Sequence, residues 1–166
     1  MSRPKAVMHP VPVLATKDES GKYHFKPESD LWNHSGQEFL FHKDKHGMTK
    51  EDFHLVEFVL DDRTGEGLRF PETPHNAMWV TAVEDRSNPS CPDKNSASDY
   101  SVMEPICVCD DGKRLIVRND NPRKEDWAFT LNVVRPGANE SDANQYISWD
   151  PIGSNQNGGT GGHGRW

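Results

Sequence analysis

The sequence predicts an all-β domain, an antiparallel β-sandwich with long loops and at most one short helix. Apolar residues recur at every second position in several short segments, which is the spacing of strands with one buried face. No long stretch shows the i, i+3, i+4, i+7 spacing of an amphipathic helix. The 166 residues include 12 prolines and 13 glycines, which divide the chain into short segments. Only 33% of the residues are hydrophobic and the mean hydropathy is -0.86, so we expect a thin core.

The second half of the chain predicts a three-stranded antiparallel meander, with strands at 106–109, 113–119 and 127–134. The last strand is the clearest, because its odd-numbered residues from Trp127 to Val133 are apolar and predict a buried face. The even-numbered residues between them predict a solvent-facing side. The Asp-Gly pair between the first two strands is a strong hairpin signal. The polar residues 121–126 predict a second hairpin connection.

The first half predicts further strands less cleanly. Phe53–Leu60 is apolar on both faces except at His54 and Glu57, which is typical of a central strand. Residues 77–83 predict another strand, and we expect Pro71 and Pro74 to exclude a helix before it. The segment 48–54 predicts one helical turn at most. Weaker strand candidates are 11–14, 23–25, 38–42 and 146–149.

The chain is expected to form one domain over residues 1–152, followed by a flexible Gly/Asn-rich tail over 153–166. The irregular segment 84–100 predicts a long loop. The succession of short strands resembles the Greek-key layout of immunoglobulin and cupredoxin domains, a likeness of architecture only. A blue-copper site is not expected, because the only histidine after Cys109 is His163 and no Cys–His–Met cluster exists.

Charge and hydropathy exclude several classes of protein. The net charge is -7, and residues 51–100 alone carry 11 acidic and 4 basic side chains. Binding to nucleic acid rests on Lys and Arg that neutralise phosphates, so we expect no nucleic-acid partner. No apolar run is long enough to cross a bilayer, and residues 1–14 lack the continuous apolar stretch of an export signal. We therefore expect a cytoplasmic protein without a membrane partner.

The cysteines and histidines allow a metal-binding hypothesis. Three cysteines in a chain without an export signal argue against a disulfide framework. Cys107 and Cys109 would project from the same face of a strand, and Cys91 with His75 could complete a tetrahedral zinc site. The alternatives are that the thiols simply pack as small apolar groups, or that Cys91 forms a disulfide with one of the other two. A histidine cluster is a further possibility, formed across a sheet by His24, His42 and His54.

The sequence indicates no catalytic residues and no cofactor. It has no Gly-x-Ser-x-Gly motif and no phosphate-binding loop, and its paired aspartates lie in predicted turns. Trp32 and Trp149 stand among polar residues and, with Asn33 and Asp150, could bind a carbohydrate or small ligand, or anchor an interface. The alternative is that each tryptophan pins a loop to the sandwich.

We therefore expect a non-enzymatic binding or assembly module. It would present loops or an edge strand to a protein partner or to itself, with a homo-oligomer as one outcome. Carbohydrate or small-ligand binding and Cys/His metal binding are the two alternative functions.

Overall fold

The computed structural model describes residues 3–33, 38–43, 47–83, 91–122 and 125–156. Strands dominate these residues, so the all-β prediction is confirmed. In chain order the strands are β1 (Ala6–Lys17), β2 (Tyr23–Pro27), β3 (Trp32–Asn33), β4 (Glu38–His42), β5 (Phe53–Asp62), β6 (Met78–Ala82), β7 (Met103–Cys109), β8 (Arg114–Asn119), β9 (Glu125–Val133), β10 (Ile147–Trp149) and β11 (Ile152–Gln156). The helix α1 (Pro74–Ala77) precedes β6, and a 3-10 turn covers Ala143–Gln145. No helix in these residues is long and apolar enough to cross a membrane.

The strands form two sheets. Sheet 1 has the order β2-β1-β5-β8-β7, and sheet 2 has the order β10-β9-β11-β4-β3, with β6 also paired to β9. Each sheet contains one parallel pair, β1 with β5 and β4 with β11. The expectation of a wholly antiparallel arrangement is therefore not met. Parallel strands require long connections, and the chain between β1 and β5 supplies one by adding β3 and β4 to the other sheet.

The predicted three-stranded meander is wrong at its second connection. The β7–β8 hairpin forms as expected, with Asp110, Asp111 and Gly112 all at positive φ. However, β8 lies in sheet 1 and β9 in sheet 2. The chain crosses between the sheets at Asn121, a buried residue with a φ of 44° whose backbone N–H donates to Asn119 Oδ1 at 2.9 Å. The residue types at such a corner are the same polar ones that occur in hairpin turns, which is why the sequence predicted a hairpin here.

A single hydrophobic core takes residues from both sheets. Phe58 of β5 contacts Phe39 of β4 and Phe129 of β9, with ring centroids 5.8 and 6.2 Å apart. Strand β9 is buried on both faces from Trp127 to Val133, so the predicted solvent-facing side of this strand is wrong.

The second face of β9 is buried because the loop residues 91–100 and α1 lie over it. The Thr130 hydroxyl lies 2.6 Å from Pro92 O, and Asn132 Nδ2 donates to Asn76 O at 2.9 Å. Burial of this second face cannot be predicted from the sequence of β9 alone, because threonine and asparagine are usually exposed to solvent.

Two local expectations change, at α1 and β11, whereas the segment 48–54 contains no more than the single turn expected there. Helix α1 begins at Pro74, where proline is well suited because the first helical N–H has no partner in the helix. Residues 48–52 form a turn, in which the Thr49 N–H donates to Asp52 Oδ2 at 2.8 Å, and β5 begins directly afterwards. Strand β11 extends to Gln156, into the segment expected to be a flexible tail, and residues 157–166 lie outside the described ones.

Two tight turns, one after β5 and one between β7 and β8, connect an end of sheet 1 to the segment 68–70 by hydrogen bonds. The Asp62 carboxylate accepts hydrogen bonds from Thr64 N–H at 2.9 Å, from the Thr64 hydroxyl at 2.5 Å and from Leu68 N–H at 2.8 Å. Burial raises the pKa of Asp62, but the hydrogen bonds outweigh it and hold the pKa below its usual value. Gly112 O accepts from Phe70 N–H at 2.7 Å, and a Cβ at Gly112 would lie 2.7 Å from Arg69 Cβ.

Candidate functional site

The outer face of sheet 1 is apolar although it is turned away from the core. Along each strand the inward residues are buried, and the alternate residues point outward. Three registers align these outward residues into cross-strand rows: Met8–Leu55–Arg118–Glu104, Pro10–Glu57–Ile116–Cys107 and Pro12–Val59–Arg114–Cys109. We call this surface the outer face of sheet 1.

Its centre consists of aliphatic side chains and prolines around Glu57, which is paired with Arg114. Met8 is 46% exposed, and Leu55, Val59 and Ile116 are half-buried by their neighbours alone. A solvated antiparallel sheet alternates apolar and polar residues, whereas parallel strands are normally covered on both faces. The parallel pair β1–β5 therefore has the composition of strands that are covered on both sides.

The charged groups on this face balance. The six charged side chains are Lys26, Arg114, Arg118, Glu57, Asp61 and Glu104, three of each sign. Arg114 Nη1 donates to Glu57 Oε1 at 2.6 Å and Arg114 Nε donates to Asp110 Oδ2 at 3.2 Å. The Arg118 guanidinium lies 3.8 Å from the centre of the Phe53 ring, a cation–π contact.

A chain of buried polar side chains lies behind the same sheet, between the two layers. Asn121 Nδ2 donates to Phe41 O at 3.2 Å and lies 3.2 Å from His54 Nε2, while His54 Nδ1 lies 2.8 Å from His9 Nε2. Because a carbonyl can only accept, the amide nitrogen of Asn121 must face Phe41 O and His54 Nε2 must accept. His54 therefore carries its proton on Nδ1 and donates to His9 Nε2, so both imidazoles are neutral.

This chain replaces the expected cluster of His24, His42 and His54. The structure brings His54 to His9 instead, whereas His24 lies at the other end of sheet 1, with its Nε2 2.8 Å from Asp18 Oδ2. Both rings of the pair are at least nine-tenths buried. A hydrogen-bonded pair enclosed in this way is typical of a satisfied polar core.

Lys43 is a further buried ionisable side chain near this end of the fold. Its Nζ donates to Lys50 O at 2.7 Å, which closes the connection between β4 and β5. Burial lowers the pKa of Lys43, and the charges of Asp120 and Asp52 oppose that shift. The backbone hydrogen bond gives Lys43 a structural role at the start of this connection.

The four predicted metal ligands are not brought together. Cys107 and Cys109 share the outer face of sheet 1, as expected, and all three cysteines are free. Cys91 lies beyond sheet 2 with its Sγ 3.7 Å from Asp150 O, and His75 stacks on Tyr100 with 4.5 Å between ring centroids. Among the described residues, no three His, Cys, Asp or Glu side chains lie close enough to hold a metal ion.

The predicted ligand-binding residues are divided between two sides of sheet 2. Trp32 and Trp149 do meet, with 6.0 Å between their rings, but both are half-buried against Phe39 at the edge of the core. Asp150 points the other way, with its Oδ1 2.7 Å from the Thr130 hydroxyl.

Asn33 pairs with Glu38 in the short β3–β4 ladder. The cavity beside Trp149 is wholly apolar and measures about 10 Å³, the space of one water molecule. This arrangement favours the alternative in which the tryptophans pack their loops against the core.

Comparison with known proteins leaves the geometry as the basis for a functional argument. No family model matches the sequence, and no curated protein matches it significantly.

The sequence analysis assigned no role to Met8, Leu55 or Ile116. The available signal was the strand Phe53–Leu60, whose apolar outward residues require cover as much as its inward ones.

Proposed function

We propose that this chain is a non-enzymatic assembly module that associates with a second copy of itself through the outer face of sheet 1. The observation that carries the proposal is the apolar exterior of the parallel pair β1–β5, with Met8, Leu55 and Val59 at its centre. Clusters of apolar side chains at the surface mark interaction sites in folded proteins, and Glu57 is the polar residue between Leu55 and Val59 in this one.

The charge distribution favours a second copy as the occupant. Two copies of a chain with a net charge of -7 repel each other in most orientations. The strands of the outer face of sheet 1 carry three acidic and three basic side chains, with Asp110 and Asp120 beside Arg114 and Arg118, so this face is less negative than the chain as a whole. A two-fold contact places the face against itself, which lets the arginines of one copy approach the acidic side chains of the other.

The size of the face sets the expected strength. Four strands at a spacing of about 4.8 Å, followed over about 20 Å of their length, give about 400 Å² for each copy. A contact of about 800 Å² in total lies below the usual range of stable interfaces. We therefore expect weak self-association, with a Kd on the order of 10 µM or weaker.

Edge-to-edge pairing of strands is less favoured by the geometry. The edge of β6 is covered, because Asp99 N–H donates to Val80 O at 2.8 Å and Val80 N–H donates to Ser98 Oγ at 3.3 Å. Strand β7 carries a bulge between Pro105 and Cys107, and β3 has only two residues. Bulges, prolines and short strands are the usual means of blocking edge pairing.

The finer fold belongs to the same proposal. The contacts of Phe58 with Phe39 and Phe129 across the core support a β-sandwich in which sheet 1 and sheet 2 face each other. Its Greek-key connectivity would be of the immunoglobulin or cupredoxin kind, modified by the two parallel pairs. The absence of catalytic motifs in the sequence and the enclosed position of the His9–His54 pair support a role without catalysis.

Sedimentation velocity over a concentration series from about 1 µM to a few hundred µM tests the assembly. We expect the wild-type protein to sediment faster as its concentration rises, and more so at higher salt, because salt screens the net charge. Leu55→Glu should keep the protein monomeric. Ala82→Glu, which adds the same charge at an exposed position of β6 in sheet 2, is the matched control and should associate like the wild type.

Two results would contradict the proposal. A wild-type protein that stays monomeric at every concentration and salt level excludes self-association. If Ile106→Lys at the edge of β7 abolished association while Leu55→Glu did not, the contact would be edge pairing. Thermal melts of all variants establish that each one is folded before its association is compared.

A further inference from the structure

Cys107 and Cys109 form a pair of thiols on the outer face of sheet 1, at its β7 edge. Both side chains are half-buried and both are free. Their register partners on β8 are Ile116 and Arg114, so one thiol has an aliphatic neighbour and the other faces a guanidinium. The two residues stand two apart on β7, so their side chains project from the same face of the strand. The pair lies at the margin of the face proposed for assembly, and that proposal assigns it no role.

The spacing suits a bridging ion better than a disulfide. Residues two apart on a strand have their Cα atoms about 6.6 Å apart, at the upper end of the range for disulfides of about 4.4–6.8 Å. A metal ion between the two sulfurs, with bonds of about 2.3 Å each, spans up to about 4.6 Å between them. Thiols on the same face of one strand can approach such an ion by rotating their side chains.

The number of protein ligands available at this pair determines which metal ion it can bind. Zinc in a structural site takes four ligands in a tetrahedron. Among the described residues no third His, Cys, Asp or Glu stands with this pair in a set that could hold a metal. Soft thiolates favour Cu(I), an ion that two sulfur ligands in a line can satisfy.

We propose that Cys107 and Cys109 bind one Cu(I) ion between their two sulfur atoms. Each thiol releases its proton to solvent, two sulfur–copper bonds form, and no electron is transferred because copper enters in the reduced state. The resulting complex carries one negative charge beside Arg114, which offsets it.

Proton release makes the binding depend on pH. Burial is the main cause that raises the pKa of Cys109, the neighbouring Cys107 adds to the shift, and Arg114 opposes it. Since binding releases a proton from each thiol, the apparent affinity rises with pH.

Competition for Cu(I) between the reduced full-length protein and a chromogenic Cu(I) chelator, under anaerobic conditions, tests the site. The protein is kept dilute, at about 1 µM or below, so that the result does not depend on self-association. We expect the wild type to withhold one Cu(I) per chain. Cys107→Ser and Cys109→Ser should each lower the affinity about 100-fold or more, while Cys91→Ser, the matched control, should leave it unchanged.

Alkylation mapped by mass spectrometry gives a second readout. Bound Cu(I) should protect Cys107 and Cys109 from the reagent and leave Cys91 as reactive as before. The proposal is overturned if the wild type fails to compete for Cu(I), or if Cys107→Ser and Cys109→Ser bind like the wild type. It is also overturned if Zn(II) binds as tightly and requires Cys91 or His75, because that would indicate the four-ligand site.

Discussion

Replacing Phe39 and Phe58 by leucine, singly and together, would measure the coupling between sheet 1 and sheet 2. The two rings meet edge to face across the core, with centroids 5.8 Å apart and planes at 78°. Such aromatic pairs contribute about 0.5–1.5 kcal/mol beyond their burial. Phe39 is fully buried, so we expect each single substitution to cost about 1–3 kcal/mol of unfolding free energy. The double variant should then lose about 0.5–1.5 kcal/mol less than the sum of the singles.

Urea unfolding followed by tryptophan fluorescence supplies the free energies, because Trp32 and Trp149 both lie against Phe39. The control cycle pairs Phe39 with Phe70, which is equally buried and has no ring contact with Phe39 among the described side chains. That cycle should be additive within about 0.5 kcal/mol. If the Phe39–Phe58 cycle were additive as well, the two sheets would not face each other through these rings, and the proposed sandwich would fail.

Three further substitutions test local features of the fold. Asp62→Asn should cost about 1–2 kcal/mol of unfolding free energy above pH 5, measured by urea titration. The pKa of Asp62 is lowered in the folded protein, so its carboxylate stabilises the fold above the unfolded pKa of about 4 and loses this effect as the pH falls below that value. The difference in unfolding free energy between Asp62→Asn and the wild type should therefore shrink at low pH. A difference that does not depend on pH would refute this argument. Gly112→Ala should cost about 2 kcal/mol or more in thermal or urea unfolding, whereas Gly65→Ala, which also has a positive φ but open space around its Cβ, should cost only about 1–2 kcal/mol; equal costs refute the steric argument. Thr130→Val should cost about 1–2 kcal/mol and speed limited proteolysis within residues 91–100, since the hydroxyl contact with that loop is lost; unchanged proteolysis counts against that contact.

Local patterns in the sequence predicted most strands but not their assembly. The alternation in 127–134 and the Asp-Gly turn at 111–112 depend on neighbouring residues, so strand and hairpin could both be found there. The parallel pairing of β1 with β5 depends on where a distant segment returns, and no local spacing records it. The corner at Asn121 has the composition of a hairpin turn, and only its burial shows that the chain leaves the sheet.

The candidate sites were missed for a related reason. Polar neighbours of Trp32 and Trp149 suggested exposed aromatic rings, but strand alternation turns Trp149 inward and Asp150 outward, so that the two cannot share a site. The placement of Cys107 and Cys109 on one face was predictable, because it depends only on alternation along one strand. The separation of Cys91 from that pair depends on which sheet each segment covers, which the sequence alone does not reveal.

The buried histidines connect the fold to the surface proposed for assembly. His54 and Leu55 are consecutive on β5, so fixing the His54 side chain toward the core fixes Leu55 on the outer face. The hydrogen bonds of His54 with His9 and Asn121 tie β5 to β1 and to the corner between the sheets. A shift of one residue in the register of β5 would bury Leu55, expose His54 and break both contacts. The polar chain inside the core thus specifies which side chains the outer face of sheet 1 presents, and this is a reason for the core to contain it.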